Sequence, residues 1–272
     1  MANQKDCEQI IMLSSYVKVS MSVVVCTYNR KQKLLRTLFS LIHQNYPEES
    51  YEIIVVDNAP VPNFYAASYI SKLQKPSTLP KLKYYHHTPA GLSRARNYGI
   101  DRSKGDIICF IDDDAVALHD WLPKIAQAFD TNKDVGVVGG HIQLKIPSPR
   151  PKVLFSGFER YWSQLITDYS QYTEVETWDE FPWGANWCAR KKCLLEIGGF
   201  NTNYGRSANN FWGGEELVAA TLIQRLGYKI AICPQSVVIH DVDINRYTLK
   251  HLFRTFLASK LVRYKAKKDN YL

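Results

Sequence analysis

The 272-residue sequence predicts an α/β protein, a mostly parallel central sheet with helices on both faces. Three observations predict it. Short β-branched runs recur at Val19–Cys26, Glu52–Asp57, Leu82–Tyr85, Asp106–Ile111, Val135–Leu144 and Lys229–Ile239. Helical patterns separate them, which is the order of βαβ units. Polar groups close three of the first runs, at Thr27-Tyr28-Asn29-Arg30, Asp57-Asn58 and Asp112-Asp113-Asp114. These are the carboxyl ends of strands, where open α/β sheets place ligands.

Each element has a local reason. Leu34, Leu35, Leu38, Leu41 and Ile42 recur at helical spacing with Lys31, Lys33 and Arg36 opposite, so the first crossover is an amphipathic helix. A second helix is expected over Phe64–Leu73 and a third over Leu92–Ile100, stopped by Lys104-Gly105. Pro147, Pro149 and Pro151 then mark a change to an aromatic-rich stretch, Phe155 to Trp187, that suits a substrate-shaping half. Another helix opens at Trp212-Gly213-Gly214-Glu215-Glu216 and runs through Ala220, Leu222, Ile223 and Leu226. After Asn245, Leu252, Phe253, Phe256, Leu257, Leu261 and Val262 interleave with Lys and Arg in a basic amphipathic helix. That helix either docks on the domain with a solvated outer face or lies on an anionic bilayer. The division is an extension over 1–18, a domain over 19–245 split at 115 into nucleotide-binding and acceptor halves, and the helix over 246–272.

Composition narrows the function classes. With 46% hydrophobic and 22% charged residues the chain is globular rather than disordered or fibrous. No apolar run reaches the roughly 18–20 residues of a membrane span. The polar Met1–Gln9 before Ile10–Leu13 fits neither a secretory nor a transit signal, so a cytoplasmic protein is expected. Its six cysteines form no Cys-x-x-Cys pair, which disfavours a zinc site or disulfide frame. A net charge of +8 favours an anionic partner.

The chemistry concentrates at four places. Asp112, Asp113 and Asp114 repel one another unless a cation neutralises them. Because a strand alternates its faces, Asp112 and Asp114 point the same way and suit Mg²⁺ or Mn²⁺; a helix cap at Asp114 is the alternative. Asp57 and Asn58 suit a base or ribose, or an Asx-turn. Gly91 to Asn97 is a helix start carrying Arg94 and Arg96, an arrangement that favours phosphate. Glu215 and Glu216 stand on a helix start behind two glycines, where a carboxylate can act as general base, and Val237-Val238-Ile239 ends in His240. Neither Gly-x-Gly-x-x-Gly nor a P-loop signature is present.

The ordered set VVVCTYNR (23–30), VVDN (55–58), GLSRARN (91–97), FIDDD (110–114), GANWCARKKCLLEIGGF (184–200), WGGEEL (212–217) and VVIH (237–240) resembles the family-2 glycosyltransferases of GT-A fold. WGGEE also resembles the Trp-Gly-Gly-Glu-Asp stretch of β-1,4-galactosyltransferases. The resemblance implies a Rossmann-like sheet, a nucleotide-sugar donor, commonly a UDP-sugar, a divalent metal, Mn²⁺ or Mg²⁺, and inverting transfer to a glycan or lipid-linked acceptor, with no nucleic acid partner. It puts Thr27, Tyr28, Asn29, Arg30, Asp57, Asn58, Arg94, Asn97, Asp112, Asp113 and Trp212 at the donor, with Asp112 on the ribose. It puts Asp114 and His240 on the metal, and Glu216 as base beside an acceptor-positioning Glu215, where the family usually has Asp at the second place. Trp183, Gly184, Ala185, Asn186, Gly213 and Gly214 fall at the sugar pocket. The Gln-x-x-Arg-Trp signature of processive synthases is absent, which implies transfer of single sugars. A nucleotidyltransferase or a non-catalytic, membrane-associated sugar-binding protein are the competing readings.

Overall fold

The computed structural model describes residues 19–73, 80–207 and 212–272. The extension over 1–18, with Cys7, lies outside them. The first strands are β1 (Met21–Thr27), β2 (Tyr51–Asp57), β3 (Lys81–His86) and β4 (Ile107–Asp112), with helices α1 (Lys31–Ile42), α2 (Phe64–Leu73) and α3 (Leu92–Arg102) between them. All three crossover helices fall where the sequence predicts. Next come β5 (Ala115–Ala117), α4 (Trp121–Thr131), β6 (Val135–Leu144), β7 (Thr173–Val175), β8 (Asn186–Arg190), α5 (Lys191–Glu196), α6 (Glu215–Arg225), β9 (Lys229–His240) and α7 (Leu249–Lys268).

The sheet order is β3-β2-β1-β4-β8-β6-β9-β5, with β7 also on β9. Only its β3-β2-β1-β4 part and the β6/β9 pair are parallel. Strand β8 runs antiparallel to both β4 and β6, and β5 and β7 run antiparallel to β9. The sheet is therefore mixed rather than mostly parallel. Sequence periodicity misses this because β8 is five residues long and β5 and β7 three each, too short to show a period.

Strand alternation assigns the two faces. Val23, Val25, Ile53, Val55, Cys109 and Ile111 point to one layer, where α1, α2 and α4 pack. Val24, Ile54, Val56, Ile108 and Phe110 point to the other, covered by α3, α5 and α6. Nearly every side chain of β1 and β2 is buried, as expected of parallel strands sandwiched by helices. Gly105 needs its missing side chain, because a Cβ there would lie 2.5 Å from the Met21 carbonyl carbon where the chain turns under β1.

A polar knot ties the amino-terminal edge of these strands. Glu52 of β2 accepts from Ser22 Oγ at 2.8 Å, Lys83 Nζ at 2.6 Å and Lys104 N at 2.6 Å. Burial works against its ionisation, yet these three donors hold the carboxyl below its ordinary value of 4.5. A depressed carboxyl stabilises the fold above its unfolded pKa and loses that contribution as pH falls below it. Glu52→Gln should lower stability at pH 7 by about 1.5–3 kcal/mol, the range for hydrogen bonds to a charged group. In chemical denaturation the gap between variant and parent should close as pH is taken below 4.5; a gap independent of pH counts against the charge as the cause.

Candidate active site

Parallel register brings the strand ends together: Thr27 stands beside Asp57, and Cys26 beside Asp112. Asp112 closes β4, and Asp113 and Asp114 make the turn into β5. Strand β9 pairs with β5 so that His240 lies opposite Ala115, and Asp241 N donates to Asp114 O at 2.8 Å. The three aspartates then separate by role. Asp112 and Asp114 turn toward His240, whose Nε2 is 3.1 Å from Asp114 Oδ1 and 4.0 Å from Asp112 Oδ2. Asp113 turns away, accepting from Thr27 Oγ1 at 2.7 Å and from Arg30 Nη1 at 3.0 Å. Arg30 also bonds Asp114.

Asp114 is no helix cap, since the following helix begins only at Trp121 and receives no side-chain cap. Its carboxyl is buried, which opposes ionisation, but His240 and Arg30 hold it well below the usual range. Burial pushes Asp113 up to about 7 against the pull of Arg30. His240 is itself raised, because Asp114 and Asp112 outweigh the burial that lowers it.

One oxygen each of Asp112 and Asp114 and a nitrogen of His240 lie within 4.8 Å of one another. Two hard carboxylates and an imidazole form a donor set for a divalent cation. The second ring nitrogen, Nδ1, bonds the carbonyl of Trp162 at 3.2 Å. A proton on Nδ1 leaves the Nε2 lone pair facing the carboxylates, the orientation that metal-bound histidines receive from a backbone carbonyl. The residues fit a metal.

The second cluster is the glutamate pair opening α6. Glu215 is 2% exposed and paired with an equally buried Arg96 of α3, Nη1 to Oε1 at 2.6 Å. Arg96 lies over the touching rings of Phe110 and Phe200 and also donates to Gly184 O at 3.4 Å. Gly184 N in turn donates to Glu216 Oε1 at 3.4 Å. Oε2 of both glutamates is buried with no hydrogen-bond partner. Burial pushes the Glu215 carboxyl up to about 7, the neighbouring Glu216 charge adds to this, and Arg96 pulls it back. Between the clusters lies Cys26, whose thiol burial pushes up to about 12 and whose surroundings include Arg96, Asp112 and Glu215. A left-handed Gly214 caps α6 at φ 91°, and a Cβ there would meet Val262 of α7 at 2.5 Å. Helix α7 thus packs directly on the turn that carries the glutamate pair.

Arg94, two residues before Arg96, is exposed and lines a cavity of about 230 Å³ with Gly91, Ser93, Tyr204 and Arg206 at the start of α3. Tyr28 is half exposed beside Asn29, which takes a positive φ of 56° after β1. Trp183 is partly buried beneath Arg160, and Trp212 packs with Trp178 and Tyr204.

Other expected site residues are braces. Asp57 is wholly buried and accepts from Ala59 N, Asn63 N and Tyr84 Oη, so its local role is the Asx-turn. Asn58 clamps the loop before α3 through His87 O, Pro89 O and Gly91 N. Asn97 exchanges both hydrogen bonds with the Phe200 backbone. Asn186 is fully buried, bonding Trp121, His141 and Ser236, and Ala185 sits in the core beside it. Asp113 joins them, tied to Thr27 and Arg30. Polar side chains at strand ends look alike in sequence whether they face a cleft or a neighbouring loop. The sequence reading missed Arg96 as a partner of Glu215; its signal was the neighbouring Ala95, which marks the buried side of α3.

A curled mixed sheet with helices on both faces and an acidic turn at its centre is the architecture of the GT-A fold. The model of the glycosyl transferase family 2 matches residues 22–195, and the chain belongs to that family. It is 26% identical over 244 residues to the glucosyl-dolichyl phosphate glucuronosyltransferase of Haloferax volcanii, covering 88% of this chain and 74% of that protein. It is 29% identical over 232 residues to the succinoglycan biosynthesis protein ExoM of Rhizobium meliloti, 84% of this chain and 69% of that one. Among solved structures, GalNAc-T7 with UDP, GalNAc and Mn²⁺ superposes with a TM-score of 0.62 at 17% identity, over 87% of this chain and 47% of that chain. S. aureus TarS 1–349 superposes with a TM-score of 0.59 at 16% identity, over 82% and 60%. The chain thus spans about half to three fifths of these solved chains, and the likeness concerns the fold.

Breaking the buried ion pair should be costly. Arg96→Met leaves Glu215 without a counter-charge and should destabilise by about 3–5 kcal/mol at pH 8. A carboxyl raised above its ordinary 4.5 contributes fully below that pH and loses the contribution as pH rises through about 7. The variant's deficit should therefore be smaller at pH 5.5 than at pH 8 in thermal melts, and an equal deficit at both would assign the loss to packing alone.

Proposed function

We propose that this family-2 glycosyltransferase is an inverting, metal-dependent, non-processive enzyme that moves a sugar from a nucleoside-diphosphate sugar, a UDP-sugar by preference, to a hydroxyl of a glycan or lipid-linked acceptor. The observation that carries the reading is the convergence of Asp112, Asp114 and His240 within 4.8 Å at the carboxyl end of the parallel strands. These residues would hold Mn²⁺ or Mg²⁺, with Asp112 assigned to the cation rather than to the ribose alone. The bound cation supplies positive charge where the departing diphosphate becomes more anionic.

This chain's own groups do the rest. Tyr28 offers an aromatic face and Arg94, with the first amides of α3, an anion site for the donor. The acceptor hydroxyl oxygen attacks the anomeric carbon from the side away from the diphosphate, its proton passing to the Glu216 carboxylate as the bond to the diphosphate breaks. A positioned base of this kind contributes typically about 10²–10⁴-fold. Glu215, locked by Arg96, positions the acceptor and fixes the turn that carries Glu216. Trp183, Trp212 and Gly213 border the sugar.

The named relatives support the acceptor class, one carrying dolichyl phosphate in its name and the other succinoglycan biosynthesis. Neither competing reading explains a base behind a metal-binding turn. The free cysteines of the described residues suit a reducing compartment, and we place the enzyme in the cytoplasm.

A thermal-shift series tests the assignment. UDP with Mn²⁺ should stabilise the parent, by about 2.7 kcal/mol at a hundred times the dissociation constant. Asp114→Ala should fold and lose that response; an unchanged metal-dependent shift would remove Asp114 from the metal site. Glu216→Gln should keep the shift and lose about 10²-fold or more of transfer, because an amide keeps the shape and accepts no proton. Near-parental transfer by Glu216→Gln would move the base elsewhere.

A further inference from the structure

Helix α7 has two apolar faces. Ala258, Val262 and Ala266 are buried, Val262 and Ala266 in one small cluster with Trp178, Tyr204 and Val218, while Leu252 packs on a second with Trp162 and Tyr247. Leu249, Phe253, Phe256, Leu257 and Tyr264 are all exposed, Leu249 and Phe253 by 68% each. At about 100° per residue the two sets point in opposite directions, about 180° apart round the helix. Docking to the domain therefore leaves the second face unspent.

A second element extends that face. Phe155 and Phe158, also exposed, lead into a 3₁₀ turn over Glu159–Trp162. Their rings run in contact, Phe155 to Phe158 at 6.0 Å, Phe158 to Tyr161 at 5.7 Å and Tyr161 to Phe256 of α7 at 6.1 Å. Exposed apolar area in a contiguous patch marks a contact surface rather than ordinary scatter. The charge around it is mainly basic, the exposed Asp179 being paired with Arg263 of α7. From Leu249 to Lys268 there is no acid, Lys250 and Lys260 border the aromatic face, and Lys260 lies over the Phe256 ring at 5.4 Å. The one acid of the turn, Glu159, is paired with Arg150 at 2.6 Å.

We infer that this two-element face seats on an anionic lipid bilayer, Phe155, Phe158, Phe253 and Phe256 entering the interface while Lys250 and Lys260 meet the headgroup phosphates. Aromatic anchors flanked by basic residues suit such an interface, where each signal alone binds weakly and the two together bind stably. The face also connects to the catalytic centre, because Trp162, next to Tyr161, holds the ring of His240. A membrane-seated chain would thus present the acidic turn to an acceptor anchored in the same bilayer, which deepens the lipid-linked branch of the proposed function and rests on it only for that last step.

Sedimentation of the full chain with vesicles tests the inference without any transfer assay. Binding to vesicles containing phosphatidylglycerol should exceed binding to pure phosphatidylcholine by about tenfold or more and should weaken as salt rises. Phe158→Ser with Phe253→Ser should reduce the lipid-bound fraction about tenfold, and Lys250→Gln with Lys260→Gln should remove the preference for anionic lipid. Both pairs are exposed, so unchanged melting and an unchanged response to UDP with Mn²⁺ are expected and exclude misfolding. No sedimentation by the parent, or equal sedimentation by parent and variants, would overturn the inference. So would a dimer in light scattering that the same phenylalanine changes dissociate, which would give the face to a second copy. A chain that sediments but shows no thermal response to UDP with Mn²⁺ would leave the surface standing and count against the proposed donor and metal site.

Discussion

Three successive carboxylates at the end of a buried strand cannot remain together unless positive charge and hydrogen-bond donors separate them. In this protein the separation decides much else. Arg30 and Thr27 draw Asp113 to one side, and His240 faces Asp114 and Asp112 on the other. For His240 to be there, β9 must pair with β5, and for Thr27 and Arg30 to be there, β1 must lie in register beside β4. The acidic turn is thus where both halves of the sheet are stitched together, and its chemistry depends on a register set far away.

The glutamate pair solves a related problem with one large cation. Arg96 rests on two aromatic rings and joins Glu215 to the Gly184 carbonyl, so α3, α6 and the loop before β8 share one buried charge. Taking such a pair out of water is expensive, and it gains little over an apolar core of the same shape. It does give a fixed direction: with Glu215 immobilised, its neighbour Glu216 is carried on a rigid helix start rather than a mobile loop. The left-handed Gly214 beneath Val262 ties the same start to α7. A helix that faces outward with phenylalanines and inward with Ala258, Val262 and Ala266 therefore touches both the surface and the glutamate turn.

By itself the sequence determined the βαβ order, the three crossover helices and the places where chemistry collects, because hydrophobic periodicity and strand-end polarity are local properties. Asp112 and Asp114 do fall on one side with Asp113 on the other, as strand alternation predicts, but it is the turn at Asp113 and Asp114 that puts them there. What only the tertiary structure decided was direction and partnership. Asn58, Asn97 and Asn186 turn out to brace loops, Arg96 rather than Arg94 meets Glu215, and β8 enters antiparallel between two halves. The apolar positions of α7 divide between core and solvent in a way no pattern reveals, since both faces are apolar and only the docking surface selects one. Each of these rests on contacts between residues tens to more than a hundred positions apart, and a period of two or 3.6 residues carries no information at that range.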